Sequence, residues 1–465
     1  VTDALHFIGI GGIGMSALAR IALARGFIVT GSTDRESAIT QRLQSEGATL
    51  YVGHKAEHIV GRPRVVVTSA VAADNPELSA AQAQGLMILG RGALLAEWFN
   101  GTRGVAIAGT HGKTTVTAMT ATVFEHAGYD PTVAVGGERR ESGTNFRCGA
   151  SPWFVTESDE SDGSFLALRP EIAVVTNVEN DHVSTDAEAA HLREQFTTFI
   201  GTIPSTGRFI CGIDDAGSAA LLKHPTDAPT WTFGFHPHAT IAGTEPTYGA
   251  TTPFGSSCTV RAHDRLLGTL QLQVPGEMNL RNALAATAVG LAVGIPFATI
   301  AAALATFRGV RRRFDVLTSS DATAIVIDDY AHHPTAVAAT IAAARHALPQ
   351  HRLVVAFQPH RYTRTAYLAD DFAQALRDAD QVILTDIYAA SERPIPGVSE
   401  ELIAATLRSH GGNVTTLRRT ELVARLQKIT ETTTDRCCIL LLGAGDITAA
   451  AHELANRIDR IPAQR

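Results

Sequence analysis

The run "GTHGKTT" (residues 109–115) sets two glycines ahead of a lysine and two threonines. Residues of these types, at a strand-to-helix turn, make a site for a nucleoside triphosphate. Backbone N–H groups cradle the phosphates, the Lys113 ammonium neutralises β and γ oxygens, and the Thr114 hydroxyl reaches a magnesium ion. The full GxxxxGKT pattern is not met, because Ile107 stands where its first glycine belongs, yet the working end is complete. The expected ligand is ATP, held by Gly109, Thr110, His111, Gly112, Lys113, Thr114 and Thr115.

Carboxylates that can finish such a site follow along the chain. "VTESDESDGSF" (155–165) places Glu157, Asp159, Glu160 and Asp162 at the end of an apolar run. "VVTNVENDHVS" (174–184) does the same for Asn177, Asp181 and His182. Magnesium prefers oxygen ligands, which favours Glu157; His182 is a less typical partner. Further on, "DDYAHHPT" (328–335) supplies Asp328, Asp329, Tyr330, His332 and His333, and "FQPHRYTRT" (357–365) supplies His360, Arg361 and Arg364. Neither run has zinc spacing, and paired arginines suit a carboxylate or phosphate.

A second glycine turn, "GIGGIGM" (9–15), matches GxGxxG through Gly9, Gly11 and Gly14, with Asp34 at a distance suited to a ribose. A dinucleotide and a nucleoside diphosphate sugar present the same pyrophosphate, so the turn leaves its ligand open.

Elements that position these groups follow an α/β rhythm. Residues 5–34 read strand, glycine turn, helix, strand, and the pattern continues as a small parallel sheet to about residue 98. It restarts with a strand at 105–108 and a helix at 113–126, followed by strands in "WFVTES", "EIAVVTNV" and "GRFICGIDD". Residues 228–275 are rich in Thr, Gly and Pro, with short β-like pieces. Paired helices after Asn279 close the second unit near residue 312, and "TAIVIDDYAHHPTAVAATIAAARHAL" opens a third. The expected fold is three consecutive α/β domains. They are a Rossmann-like unit at 1–98, a central P-loop ATPase-like unit at 99–312 and a Rossmann-like unit at 313–465.

Bulk properties agree. A 465-residue chain exceeds one ordinary core, and a net charge of −7 without a long basic block argues against nucleic-acid binding. The densest basic run, "RGVRRR" (308–313), suits small anions. Five cysteines without CxxC spacing point to a reducing compartment, and the cytoplasm is expected. The opening "VTDALHFIGIG" gives no expectation of a secretion signal. No charged residue stands between Arg281 and Arg308, but Ala, Thr and Gly with "GIP" at 294–296 read as two packed helices rather than a membrane span.

These motifs together resemble the Mur ligases over nearly the whole chain. "HFIGIGGIGMSALA", "GTHGKTT", "ESDESDGSF", "NVENDH", "GEMNLRNALAA", "RRRFD", "DDYAHHPT", "FQPHRYTRT", "DIYAASERPIPGV" and "LLGAGDI" occur in the family's order. The resemblance implies that L-alanine is joined to the carboxylate of UDP-N-acetylmuramate, through an acyl phosphate, with ATP and Mg2+. It implies UDP binding by Gly11, Gly12, Gly14, Ser69 and Arg91. Lys113 and Thr114 would serve phosphates and metal, Glu157 and His182 magnesium, and Asn279 and Asn282 the adenine region. Arg313 would reach the γ-phosphate, Asp329 the ATP ribose, and Tyr330, His332, His360, Arg361 and Arg364 the place where alanine meets the muramoyl carboxylate. His332 and His360 are both candidates to take the amine proton. A monomer or homodimer without membrane insertion is implied. The sequence departs from the family pattern at Thr33, Ser158, Ser184 and Met278, none of which is a phosphate or metal group. Three other readings use part of the same motifs: a sister ligase for another amino acid or a recycled muramoyl peptide, a dehydrogenase built on "GIGGIG", and a nucleotide-binding scaffold. "GTHGKTT", the acidic strand ends and the arginine–histidine runs are surplus to the dehydrogenase.

Overall fold

The computed structural model describes residues 3–61, 63–68, 70–160, 163–179, 186–249, 254–319, 322, 324–390, 392–433 and 435–459. Three sheets follow one another along the chain, each with helices packed against it.

The first sheet is wholly parallel and centres on Ala4–Ile8. Ile28–Thr33 and Thr49–Val52 lie to one side, Arg64–Val67 and Ile88–Gly90 to the other. Leu5, Phe7, Val65 and Val66 are fully buried, as expected for parallel strands covered on both faces.

In the middle sheet, which has ten strands among the described residues, Arg103–Ala108 lies between Trp153–Glu157 and Ile172–Val175. Both neighbours come later in the chain, so right-handed crossovers bring their carboxyl ends beside the phosphate loop. Residues 228–275 form more regular structure than their composition suggests. Thr230–Gly234 continues the parallel set, Ile241–Tyr248 pairs with it, and Ser256–Ala262 and Arg265–Leu272 extend the edge antiparallel. Burial alternates along Ser256–Ala262 because one face is solvated, which explains the weak apolar signal. Glu277–Val293 and Phe297–Ala305 are the paired helices, and Gly294 caps the first with φ +91. Among the described residues no helix is long and apolar enough to cross a membrane.

In the third sheet Asp315–Val316 runs antiparallel to Ala324–Asp329. Cys437–Leu442, Arg352–Phe357, Gln381–Thr385 and Val414–Leu417 then follow in parallel. All five cysteines are free; only Cys148 is exposed.

Polar contacts join the units. Arg20, 6% exposed, sits over the Phe146 ring and donates to Thr144 Oγ1 at 2.9 Å, while Asn145 Nδ2 donates to the Ile13 carbonyl at 2.8 Å. On the other side Arg140 pairs with Asp315, and Thr335 Oγ1 donates to Glu179 Oε2 at 2.5 Å.

Candidate active site

Arg103–Ala108 runs into the 109–112 turn, and Lys113–His126 is the helix that leaves it. Gly112 is left-handed at φ +86, and a Cβ there would meet Asn282 Oδ1 at 2.5 Å. The turn is held by the neighbouring strand end. Thr110 N donates to the Asn177 carbonyl at 3.0 Å and His111 N to Asn177 Oδ1 at 2.8 Å. Asn177 Nδ2 and Thr176 Oγ1 both donate to the His111 carbonyl, at 3.0 and 2.6 Å. A preset loop of this kind spends little entropy on closing around a phosphate.

Lys113 Nζ is enclosed. It donates to the Gly109 carbonyl at 2.6 Å and lies 2.8 Å from Glu160 Oε2. Burial opposes its charge, but Glu160, Asp159 and Glu157 outweigh that and hold its pKa above the usual lysine value. Thr114 Oγ1 donates to Glu157 Oε2 at 2.8 Å. Burial pushes the Glu157 carboxyl up, against the Thr114 hydrogen bond and the Lys113 charge. Gly136 faces this carboxylate, and any side chain there would overlap it.

The C-terminal domain presents its groups from parallel strand ends. Asp329 ends Ala324–Asp329 and accepts from the N–H groups of Phe314 (2.6 Å) and Ala331 (2.7 Å). Burial raises its pKa to about 6, against the pull of Arg313 and those two N–H groups. The Arg313 guanidinium lies 4.9 Å from the Tyr330 ring centroid. His332 Nδ1 sits 2.8 Å from the Tyr330 carbonyl, and His360 Nδ1 sits 3.0 Å from Arg364 Nη1. His360 also stacks on Tyr388, with centroids 5.7 Å apart. Arg361 adopts φ +71 and ψ 140, a region costly for any residue with a Cβ. Its N–H donates to the Tyr388 carbonyl at 2.8 Å, which helps fix that backbone.

In the first domain the glycine turn is tied to a strand end: Gly9 N and Ile10 N donate to the Ser32 carbonyl at 3.0 and 2.9 Å. Arg91 begins the helix Arg91–Phe99, packs against Gly14 and lies 3.9 Å from Asp159 Oδ2. Beneath the turn is fully buried Glu77. It accepts from Ser32 Oγ at 2.5 Å and faces His54 Nδ1 at 2.9 Å and His58 Nδ1 at 2.7 Å. Asp34 points outward, 90% exposed, beside His54.

One cavity of about 1470 Å3 reaches all three domains. Its wall includes Arg91 from the first, and Thr110, His111, Gly112, Lys113, Thr114, Thr115, Glu157, Asn279 and Asn282 from the second. The third contributes Asp329, Tyr330, His332, His360 and Arg361, and Arg313 lies at the boundary. Gly11, Gly12, Gly14 and Gly109 do not line this cavity, and neither does Arg364, 6% exposed and hydrogen-bonded to His360. Asn279 lines the cavity, yet its amide donates to the Pro275 carbonyl of its own helix start. Ser69, Asp162, Asp181, His182 and Ser184 lie outside the described residues. Sequence reasoning did not find the Lys113–Glu160 pair, the Tyr388 platform or the buried Glu77 cluster. Glu160 was visible as one acid among several and Tyr388 lay within "DIYAASERPIPGV", but nothing local marked its stacking on His360, and Glu77 carries no local signal.

Models of known families match most of the chain. "Mur ligase family, catalytic domain" matches residues 4–103, "Mur ligase middle domain" residues 107–290 and "Mur ligase, glutamate ligase domain" residues 312–445. A UDP-N-acetylmuramate–L-alanine ligase from Desulfotalea psychrophila is 41% identical over 451 residues, 97% of each chain. Among solved structures, a UDP-N-acetylmuramate–alanine ligase from Thermotoga maritima superposes with a TM-score of 0.82 at 30% identity, covering 98% of each chain. A murein peptide ligase from Psychrobacter arcticus shares the fold, with a TM-score of 0.73 at 24% identity over 99% of this chain and 100% of the other.

Proposed function

The chain belongs to the Mur ligase family, and from that premise we propose how its residues join L-alanine to the carboxylate of UDP-N-acetylmuramate with ATP. The products are UDP-N-acetylmuramoyl-L-alanine, ADP and phosphate, a step of peptidoglycan synthesis. A single observation carries the residue assignment: one cavity is walled by the phosphate loop, by Arg91 of the first domain and by the histidine–arginine groups of the third.

ATP lies along the 109–115 loop, with Asn282 and Asn279 towards adenine and Asp329 towards the ribose. The UDP part of the sugar lies over the 9–14 turn, where Arg91 adds a cation. Thr114 and Glu157 offer only oxygen, and a carboxyl whose pKa burial has raised regains its charge beside a dication, so this pair fits magnesium. When bound, magnesium neutralises charge on the phosphoryl oxygens.

A muramoyl carboxylate oxygen attacks the γ-phosphorus as the bond to the ADP oxygen breaks. Lys113 and Arg313 stabilise the charge spread over the transferring group. The alanine amine then attacks the acyl carbon, and the tetrahedral intermediate expels phosphate. Arg361 holds the alanine carboxylate in a fork geometry that lysine cannot copy. The amine proton goes to His332. A backbone carbonyl only accepts, so the neighbouring His332 Nδ1 carries hydrogen and Nε2 is the basic nitrogen. Arginine only donates, so Arg364 makes His360 Nδ1 the acceptor and leaves His360 Nε2–H as a donor. Closure of the three domains around the cavity keeps water from the acyl phosphate.

The test uses UDP-N-acetylmuramate labelled with heavy oxygen in its carboxylate, supplied with ATP, magnesium and a panel of amino acids. One labelled oxygen must appear in the released phosphate, and L-alanine must give the amide product. Unlabelled phosphate alongside product overturns the acyl-phosphate route, while preference for another amino acid or a peptide overturns the substrate.

A further inference from the structure

His111, Glu179 and His333 meet where the phosphate loop touches the C-terminal domain. His111 Nε2 lies 3.7 Å from Glu179 Oε2, and His333 Nδ1 lies 3.8 Å from the same oxygen. The two imidazoles are tilted by 41° with centroids 4.9 Å apart. All three donor atoms fall within 4.8 Å of one another. His111 Nε2 is buried and has no hydrogen-bond partner among the described residues.

We propose that His111, Glu179 and His333 form a binding site for a divalent transition-metal ion of the zinc class, which latches the C-terminal domain to the phosphate loop. Two imidazole nitrogens and one carboxylate oxygen suit zinc, cobalt or nickel, whereas magnesium and calcium select oxygen. A tetrahedral ion with bonds of ~2.0–2.1 Å places its ligand atoms about 3.3 Å apart. The observed separations from Glu179 Oε2 therefore need only a small contraction. Three protein ligands leave one position for water.

The groups behind these ligands are already oriented. The His111 backbone is fixed through its N–H and carbonyl by Asn177 and Thr176. Glu179 N donates to Thr110 Oγ1 at 2.9 Å, and Thr335 Oγ1 uses one lone pair of Glu179 Oε2. His333, 7% exposed, is the N-cap of Pro334–Ala347, so its ring is anchored by the C-terminal domain. Because the ligands come from two domains, the ion binds only when they are apposed. The site is separate from the Thr114–Glu157 pair assigned to magnesium, and its occupancy is measured without turnover.

The full chain with Cys148→Ser, which removes the exposed thiol, is titrated with Zn2+ by calorimetry and with Co2+ by visible absorption. Excess magnesium is present throughout to fill all-oxygen sites. One equivalent should bind with the strong visible bands of four-coordinate cobalt and should raise the melting temperature. His333→Gln and His111→Gln should each weaken that equivalent at least tenfold and abolish the thermal shift, while Glu157→Gln retains both. His333 lies outside the phosphate loop, so its variant remains informative if His111→Gln disturbs the turn. Undiminished binding in the histidine variants, or the weak bands of six-coordinate cobalt, overturns the proposal.

Discussion

Two glycine turns in this molecule join a parallel strand to a helix, and they are built for different work. The 9–14 turn offers backbone only. It hangs from the Ser32 carbonyl, enters its helix through Gly12 at φ −66, and takes its cation from Arg91 on another helix. The 109–112 turn enters its helix through left-handed Gly112 and carries its own lysine and hydroxyl into a pocket of buried carboxylates. Neutral amides suit a pyrophosphate that is held unchanged. A buried cation balanced by acids suits a phosphate whose charge moves during reaction.

If that contrast is right, substitutions in the two turns should fail differently. The largest effect is expected from Lys113→Ala. It should lower kcat at least about a hundredfold, a loss of ~3 kcal/mol or more, and leave UDP-sugar affinity within about twofold. A rate assay beside calorimetric titration reads both numbers, and a parallel loss of sugar affinity would erase the distinction.

Glu77 sharpens the comparison from below the first turn. Burial opposes its charge, but His6, Ser32, His54 and His58 outweigh it and hold its pKa near 2, down from 4.5. A folded-state pKa below the unfolded one means that the stabilisation is fully present above about pH 4.5. It is lost as pH falls from there towards 2. The whole contribution is on the order of 3 kcal/mol. Glu77→Gln should lose most of it at neutral pH and flatten the acid limb of stability measured by urea unfolding. An unchanged acid limb would remove Glu77 as the support of the turn.

A matched pair comes next. Gly112→Ala places a Cβ at φ +86 against Asn282 and should cost ~1–3 kcal/mol of stability. Gly12→Ala at φ −66 meets nothing closer than the Gly9 carbonyl at 3.4 Å and should cost less than about 1 kcal/mol. Equal losses in thermal unfolding would show that the two turns are not conformationally distinct. Of the effects on activity the smallest is expected from Arg91→Ala, which should raise KM for the UDP-sugar about fivefold, or ~1 kcal/mol, with kcat nearly unchanged. A fall in kcat instead would place Arg91 in the chemistry.

Local features of the sequence carried much of this organisation. The alternation of apolar runs with glycine turns marked successive α/β units, and strand, turn and helix around Lys113 lie within one short stretch of chain. Such features are legible because periodicity, glycine placement and helix starts depend on neighbouring residues. Ser256–Ala262 and Arg265–Leu272 were harder to read because a half-solvated edge strand carries a diluted apolar pattern.

The partnerships of the site were decided by the tertiary structure. Glu160 meets Lys113 because Trp153–Glu157 inserts beside Arg103–Ala108, and Glu179 meets His111 because Ile172–Val175 flanks that strand on its other side. His333 joins them only through docking of the third domain. The same is true within domains: Arg364 behind His360 and the carbonyl beside His332 assign the two imidazoles opposite hydrogen-bond roles. The residue types were present in the sequence, but hydrogen-bond direction and pKa depend on atoms a few ångströms away. Those neighbours are set by sheet order and domain packing, because spatial proximity here joins residues far apart along the chain.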